Sequence, residues 1–324
     1  MKPGFIPAVS VFALSMALSS NMAFAQDYTL RLSHTGAPGH HYQTITEQFA
    51  KEIAEKTDGA VEIQIFPADQ LGNQLESVEG TMIGTLEMTL ASDTVLSNWV
   101  PDMGMLNLPF LFESMDEYLA AVEGPAGKML SDQVEEKGAV IIGWWGNGMR
   151  HVTNSVRPIT KPEDLKGLKI RVPEGKVFVD TFEALGAGAT VMSFGELYSA
   201  LQLGVVDGQE NPPAHILTQN FNEVQDYVSR TGHIHMGSPL IMNAGLFYSM
   251  PEEIQKTLLE VGKEYGRKHI DLIASLEEEQ WKEVAARGMK INDVDKSLFR
   301  AAVQPVYDDA AGKFNQEILE QLTR

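Results

Sequence analysis

Arg171 sits near the end of the apolar run Leu168-Lys169-Ile170-Arg171-Val172, with Pro173 just beyond it. A guanidinium buried there needs a carboxylate, because an unpaired buried charge is costly. Two partners fit. One is a structural acid, with Asp164 and Glu174 close in sequence; the other is a ligand carboxylate, which the planar Arg fork meets with two parallel hydrogen bonds. Arg150 follows the glycine break Gly146-Asn147-Gly148 and carries the same pair of readings. Asn211 stands with Gln209 and Glu210 between an Asp207-Gly208 turn and Pro212-Pro213, so these polar side chains sit on a stiff segment. Glu76 and Asp93 are either solvated acids at a helix start or turn, or acceptors for ligand hydroxyl groups. His34 and His41 border the same loops and line the same entrance. Phe194 and Trp145 have the size to cover a ligand's apolar face, but core packing is the better reading of both.

Other chemistry is excluded or unsupported. The chain has no G-x-S-x-G, H-E-x-x-H, Walker loop or G-x-G-x-x-G. His40-His41 and His233-Ile234-His235 lack the ligand spacing of a zinc site, so neither a metal nor a cofactor is expected. With 44 acidic against 25 basic residues the net charge is -19, which disfavours nucleic acid. An anion site must therefore concentrate Arg locally against the global field. There is no cysteine, hence no disulfide, lipid-anchor thiol or thiol chemistry. Lys2, the apolar stretch Phe5 to Leu18 and Ala23-Phe24-Ala25 before Gln26 predict a secretory signal peptide over residues 1–25, cleaved after Ala25.

Hydrophobic periodicity supplies the elements that must hold these residues. Strands are expected at Tyr28–Ser33, Val61–Phe66, Met88–Leu90, Ala139–Trp145, Arg150–Asn154, Leu168–Val172, Ala189–Met192, about Met236 to Phe247, and Met289–Asn292. Helices alternate with them: one carries Tyr42, Ile45, Phe49 and Ile53 on one face, the next starts near Asn73 with Glu76 in its first turn, and short ones follow near Met115–Ala121 and Gly127–Glu136. Lys176–Leu185, Ser193–Leu203 and a final helix from Lys296 continue the pattern. Such alternation argues a parallel α/β sheet. Pro251 to Arg287 reads as one long helix, about 50 Å if unbroken, or as two broken near Gly266. In open α/β sheets ligands lie beyond the carboxyl ends of strands; loops there gather His34, Asp69, Glu76, Ser92, Asp93, Arg150 and Asn211 around one cleft.

The stretch Leu197-Tyr198-x-Ala200-Leu201-Gln202-x-Gly204-Val205-Val206-Asp207-Gly208-Gln209-Glu210-Asn211-Pro212 resembles the signature of the DctP-type solute-binding subunits of tripartite ATP-independent periplasmic (TRAP) transporters. Gly167-Leu168-Lys169-Ile170-Arg171-Val172-Pro173 and Gly148-Met149-Arg150-His151-Val152-Thr153-Asn154 agree with it, and the likeness runs from about residue 28 to the end. The resemblance implies a two-domain α/β periplasmic-binding-protein fold, with a ligand cleft between the domains and the long helix bridging them. It implies that Arg171 binds the substrate carboxylate, that Arg150 is the second arginine, and that Asn211 holds the carboxylate or a neighbouring oxygen.

The expected organisation is domain I from 26–148 plus 237–277 and domain II from 149–236 plus 278–324, after the signal peptide. The expected protein is a periplasmic monomer, not an enzyme, that closes over a small-molecule carboxylate and delivers it to TRAP permease subunits in the membrane. Acids on the opposite wall would repel a second carboxylate and accept hydroxyl groups, which favours a sugar acid such as a uronate or aldonate. A C4-dicarboxylate, paired at its far end by protonated His34 or His41, or a zwitterion is the alternative. A secreted hydrolase using Glu76 and Asp93 is a rival of another class, and a chemoreceptor-linked binding protein is a further reading.

Overall fold

The computed structural model describes Met1 and residues 28–323. The expected signal peptide, but for Met1, and its cleavage site lie outside the described residues.

The chain builds a first lobe from β1 (Tyr28–His34), α1 (His41–Lys56), β2 (Val61–Phe66), α2 (Gln74–Ile83), β3 (Met88–Leu90), α3 (Asp93–Leu96), α4 (Met115–Val122), α5 (Pro125–Glu135) and β4 (Ala139–Gly143). It leaves through β5 (Gly146–Met149) and makes β6 (His151–Asn154), β7 (Lys169–Val172), α6 (Lys176–Ala184), β8 (Gly188–Val191) and α7 (Leu197–Gln202) in the second. β9 (Gly208–Asn211), α8 (Pro213–Thr218) and β10 (Tyr227–Arg230) follow. The chain returns through β11 (His235–Gly237), β12 (Leu240–Asn243) and α9 (Ala244–Ser249), crosses again along α10 (Glu252–Ala286), and ends in β13 (Lys290–Asp293), α11 (Lys296–Ala302), α12 (Gln304–Lys313) and α13 (Gln316–Leu322).

The first sheet has the order β2-β1-β3-β12-β4 and the second β13-β10-β6-β9-β7-β8. Within them β1 runs parallel to β2 and β3, and β7 parallel to β8 and β9, as alternation requires. Neither sheet is purely parallel, however. β12 is antiparallel to β3 and β4, and β6 to β9 and β10, because a strand entering from the other lobe comes in from the opposite end. The single return strand expected over Met236–Phe247 is two strands separated at Ser238-Pro239, where proline has no N–H for a ladder. It ends at Asn243, whose side chain accepts from Leu246 N and starts α9. The glycine break at 146–148 is itself a strand, β5, paired antiparallel with β11 as a ribbon between the sheets.

α10 is unbroken over 35 residues. Gly266 does not interrupt it; a Cβ there would stand 2.4 Å from Trp144 O, so glycine lets the helix seat directly on the chain leaving β4. Gly262 serves likewise beneath Ile142, and Trp145 Nε1 donates to Gly262 O at 2.9 Å. Leu258, Val261 and Tyr265 pack with Phe49, Trp145 and Leu240 in the first lobe, whereas Val284 packs with Leu197, Ile216 and Phe221 in the second. Each such fully buried side chain contributes roughly 1.5–3 kcal/mol. The last helix reaches across: Ile318 and Leu322 of α13 pack with Leu130 and Val134 of α5 in the first lobe.

Candidate functional site

Where the lobes meet, Thr35, Gln74, Ser92, Asn147, Arg150, Arg171, Pro173, Phe194, Asn211, His215 and Met236 line a cavity of about 20 Å³. That is room for one water and not for a sugar acid, so the lobes stand closed and ligand exchange requires them to part.

Arg171 lies in β7 and is 2 % exposed. Parallel pairing of β7 with β8 brings Met192 O to it, and Nε and Nη2 both donate there at 3.0 and 2.7 Å. Among the described residues no carboxylate pairs with it; Asp164 instead accepts from Thr160 and Lys161. Burial pulls its pKa down to about 10, while Glu174, Glu210 and Asp69 oppose the shift from further away. It therefore stays protonated at neutral pH, with Nη1 and one Nη2 hydrogen uncommitted. The Phe194 ring lies 5.8 Å from its Cζ, so Phe194 serves the cavity while Trp145 is core.

Arg150 is held differently. Nε and Nη2 meet Glu210 Oε2 and Oε1 at 2.6 and 2.7 Å, and Nη2 also donates to Glu210 O at 2.7 Å. His233 Nε2 lies 3.0 Å from the same carboxylate. Burial pushes the Glu210 carboxyl up, but Arg150 and His233 reverse this, and its net shift is downward. Arg150 is thus a structural ion pair; its Nη1 donates to Met236 Sδ at 3.7 Å and keeps one hydrogen for another acceptor. Asn211 Nδ2 donates to Gln209 Oε1 at 2.5 Å, and Gln209 Nε2 to Thr153 Oγ1 at 2.9 Å, which fixes the Asn211 amide at the end of β9.

The first lobe's wall is neutral, and here the expected acids step aside. Glu76 is exposed and closes a capping box at the start of α2: Asn73 N donates to its Oε2 at 2.8 Å, and Glu76 N to Asn73 Oδ1 at 3.0 Å. Asp93 is buried behind the wall, where Oδ2 accepts from Gly237 N at 3.0 Å, and burial raises its pKa to about 7. Their near neighbours Gln74 and Ser92 reach the cavity instead. Ser92 N and Oγ both donate to Gln74 Oε1 at 2.8 Å, leaving the Gln74 NH₂ as a donor. An Asn-x-x-Glu capping box was the available signal that Glu76 would be spent on its own helix.

His34 and His41 do not line this cavity. His34 is buried beside Tyr42, and burial lowers its pKa to about 4. His41 Nδ1 lies 2.6 Å from His269 Nε2 of α10, and burial takes its pKa to about 3. It borders a second, larger cavity of about 260 Å³ beneath α10, with Ile270, Ile273, Ala274, Glu277 and Gln280. Gln74, Thr35, Asn147 and His215 were not singled out by the sequence as site residues, and Glu210 was noted only beside Asn211 on its stiff segment.

Comparison with known proteins bears on this arrangement. Residues 32–313 match the model of the DctP family, described as bacterial extracellular solute-binding protein, family 7. A solute-binding protein of Roseobacter denitrificans is 36% identical over 292 residues, which covers 89% of this chain and 88% of that protein. The C4-dicarboxylate-binding periplasmic protein DctP of Rhodobacter capsulatus is 32% identical over 325 residues, covering 96% of this chain and 94% of that one. A TRAP periplasmic solute-binding protein from a Polaromonas species, bound to D-erythronate, is similar at a TM-score of 0.86 and 32% identity, covering 91% of this chain and 98% of that one. Another from a Sulfitobacter species, with bound β-D-galacturonate, has the same TM-score of 0.86, 32% identity, and the same coverage of 91% and 98%.

Proposed function

The chain belongs to bacterial extracellular solute-binding protein family 7, and we propose that the solute it carries is a hydroxylated monocarboxylate of the uronate or aldonate class. Proteins of this family capture a small carboxylate outside the cytoplasmic membrane and deliver it to TRAP permease subunits; they are binding proteins and not enzymes. The export signal over residues 1–25, with cleavage after Ala25, fits that location. The domain reading that goes with it is domain I from 26–148 plus 237–277 and domain II from 149–236 plus 278–324.

One observation carries the ligand reading: Arg171 is a buried, protonated guanidinium with no carboxylate paired to it among the described residues. A ligand carboxylate supplies the missing charge, taken end-on by Nη1 and the free Nη2 hydrogen, with Arg150 Nη1 and Asn211 as lesser partners. The far wall decides what the rest of the ligand is. Thr35, Gln74 and Ser92 are uncharged donors and acceptors suited to hydroxyl groups. A second carboxylate would need a second cation there. His34 and His41 do not supply one, being kept neutral by burial, and the same holds for His215. The relatives whose solved structures hold D-erythronate and galacturonate support the choice, while the R. capsulatus relative's name keeps C4-dicarboxylates as the competing class.

Calorimetric titration of the mature protein with D-galacturonate, L-galactonate and D-erythronate against succinate and malate tests this. Tight binding of a sugar acid is the expected result. Tight succinate binding with no response to any sugar acid overturns it.

A further inference from the structure

Asn147 is the residue at which the ribbon between the lobes is irregular. Along β5 and β11, Met149 faces His235 and Gly148 faces Met236, but the next pair is Gly146 with Gly237, so Asn147 is the extra residue of a bulge. Bulges beside binding sites re-aim a side chain. Asn147 is 4% exposed and borders the cavity that holds both arginines. Its Nδ2 donates to Tyr42 Oη at 2.5 Å, and that hydroxyl is paired in turn with Ser238 Oγ at 2.5 Å. This bond from the first lobe fixes the amide, and it leaves Oδ1 buried with no partner. A buried carbonyl oxygen without a donor is costly, and native proteins rarely keep one. Asn147 also lies three residues before Arg150, on the same segment of chain.

We propose that Asn147 is a specificity-determining residue whose Oδ1 accepts a hydrogen bond from the hydroxyl next to the ligand carboxylate, so that the site selects aldonates and other 2-hydroxy acids over pyranose uronates, in which the oxygen next to the carboxylate is the ring ether and has no hydrogen to donate. The inference rests on the reading of the ligand as a hydroxylated monocarboxylate and sharpens it. Sites built to bond a hydroxyl reject the analogue that lacks it, because a buried group is then left unpaired. A ligand with only hydrogen at that carbon leaves Oδ1 as it is now.

The test pairs ligand and protein changes. Wild type, Asn147→Ala and Tyr42→Phe are titrated with D-erythronate and with 3,4-dihydroxybutanoate, its 2-deoxy analogue, and with D-galacturonate as a control on the ligand class. The wild type is expected to prefer D-erythronate by about tenfold or more, and Asn147→Ala to bring the two ligands within about twofold of each other. Tyr42→Phe, which removes the anchor but keeps Oδ1, is expected to weaken both ligands while retaining the preference. A wild type that binds D-erythronate and 3,4-dihydroxybutanoate alike, or that binds D-galacturonate and not D-erythronate, overturns the inference alone, as does an Asn147→Ala protein that keeps the preference. A wild type that binds none of the three overturns the ligand class along with it.

Discussion

His40 of the first lobe stacks on His215 of the second, their ring centroids 4.1 Å apart and their planes within 22°. The contact exists only while the lobes are together. Around it lie His41, 3.9 Å from His40, and His269 of α10, so histidines from both lobes and the bridging helix share one buried cluster.

A pH dependence follows, with competing signs. Burial holds His40, His215 and His269 well below their usual pKa and His41 at about 3, and Arg150 and Arg171 add to the shift of His215. On opening, exposed histidines return toward about 6.5. Protons therefore favour the open form, and closure is lost as pH falls through about 6.5. Asp69 opposes this: burial, Glu174 and Glu76 raise it to about 7, so its protonation favours closure. Several histidines outweigh one acid. Affinity is expected to fall roughly tenfold between pH 7.5 and 5.5, less in His215→Asn and more in Asp69→Asn, by calorimetry at fixed ionic strength. A flat profile for all three proteins contradicts the account.

Replacing Arg171 separates binding from folding. Arg171→Met is expected to cost ligand binding ~2–5 kcal/mol. The apo protein should melt no lower, since the change removes a buried cation that no acid pairs. Thermal shift with and without ligand checks both; a large drop in apo melting temperature would show that Met192 O alone makes Arg171 structural.

Glu210 should behave in the opposite way. Glu210→Ala leaves Arg150 as an uncompensated buried charge and strips His233 of its partner, so a stability loss of ~3–5 kcal/mol is expected in urea unfolding. A loss near zero would mean that water replaces the carboxylate.

Gly266→Ala adds about 1 kcal/mol of helix propensity, yet its Cβ would collide with Trp144 O at 2.4 Å. Overpacking typically costs ~1–3 kcal/mol, so a net destabilisation is expected in the same assay. A stabilised variant would show that α10 has room to lift.

Much of this was legible in the sequence because it depends on local periodicity. The face Tyr42, Ile45, Phe49 and Ile53 and the Asn73 helix start follow from spacing, the long helix takes the unbroken one of its two readings, and Arg171 and Asn211 both line the cavity. What spacing does not show is direction. Glu76 and Asp93 lie two and one positions from the residues that reach the cavity, and one step along a chain turns a side chain to another face. The pairing of Arg150, between β5 and β6, with Glu210 of β9 has no sequence signal, nor does the meeting of His40 with His215. The reversal of β12 and β6 comes from the chain's route between lobes, which alternation of elements does not encode.

α10 is clamped at both ends. Gly262 and Gly266 press its backbone on the first lobe, while Val284 is buried in the second and Arg287 Nη1 donates to Leu217 O there. Between the clamps, Ile273, Ala274, Glu277 and Gln280 border open space. A rod fastened this way bends when its ends are turned, and the slack beneath its middle gives the curvature somewhere to go. Any turn of one lobe on the other would have to bend this rod, whose stiffness would resist the turn equally whichever solute is carried.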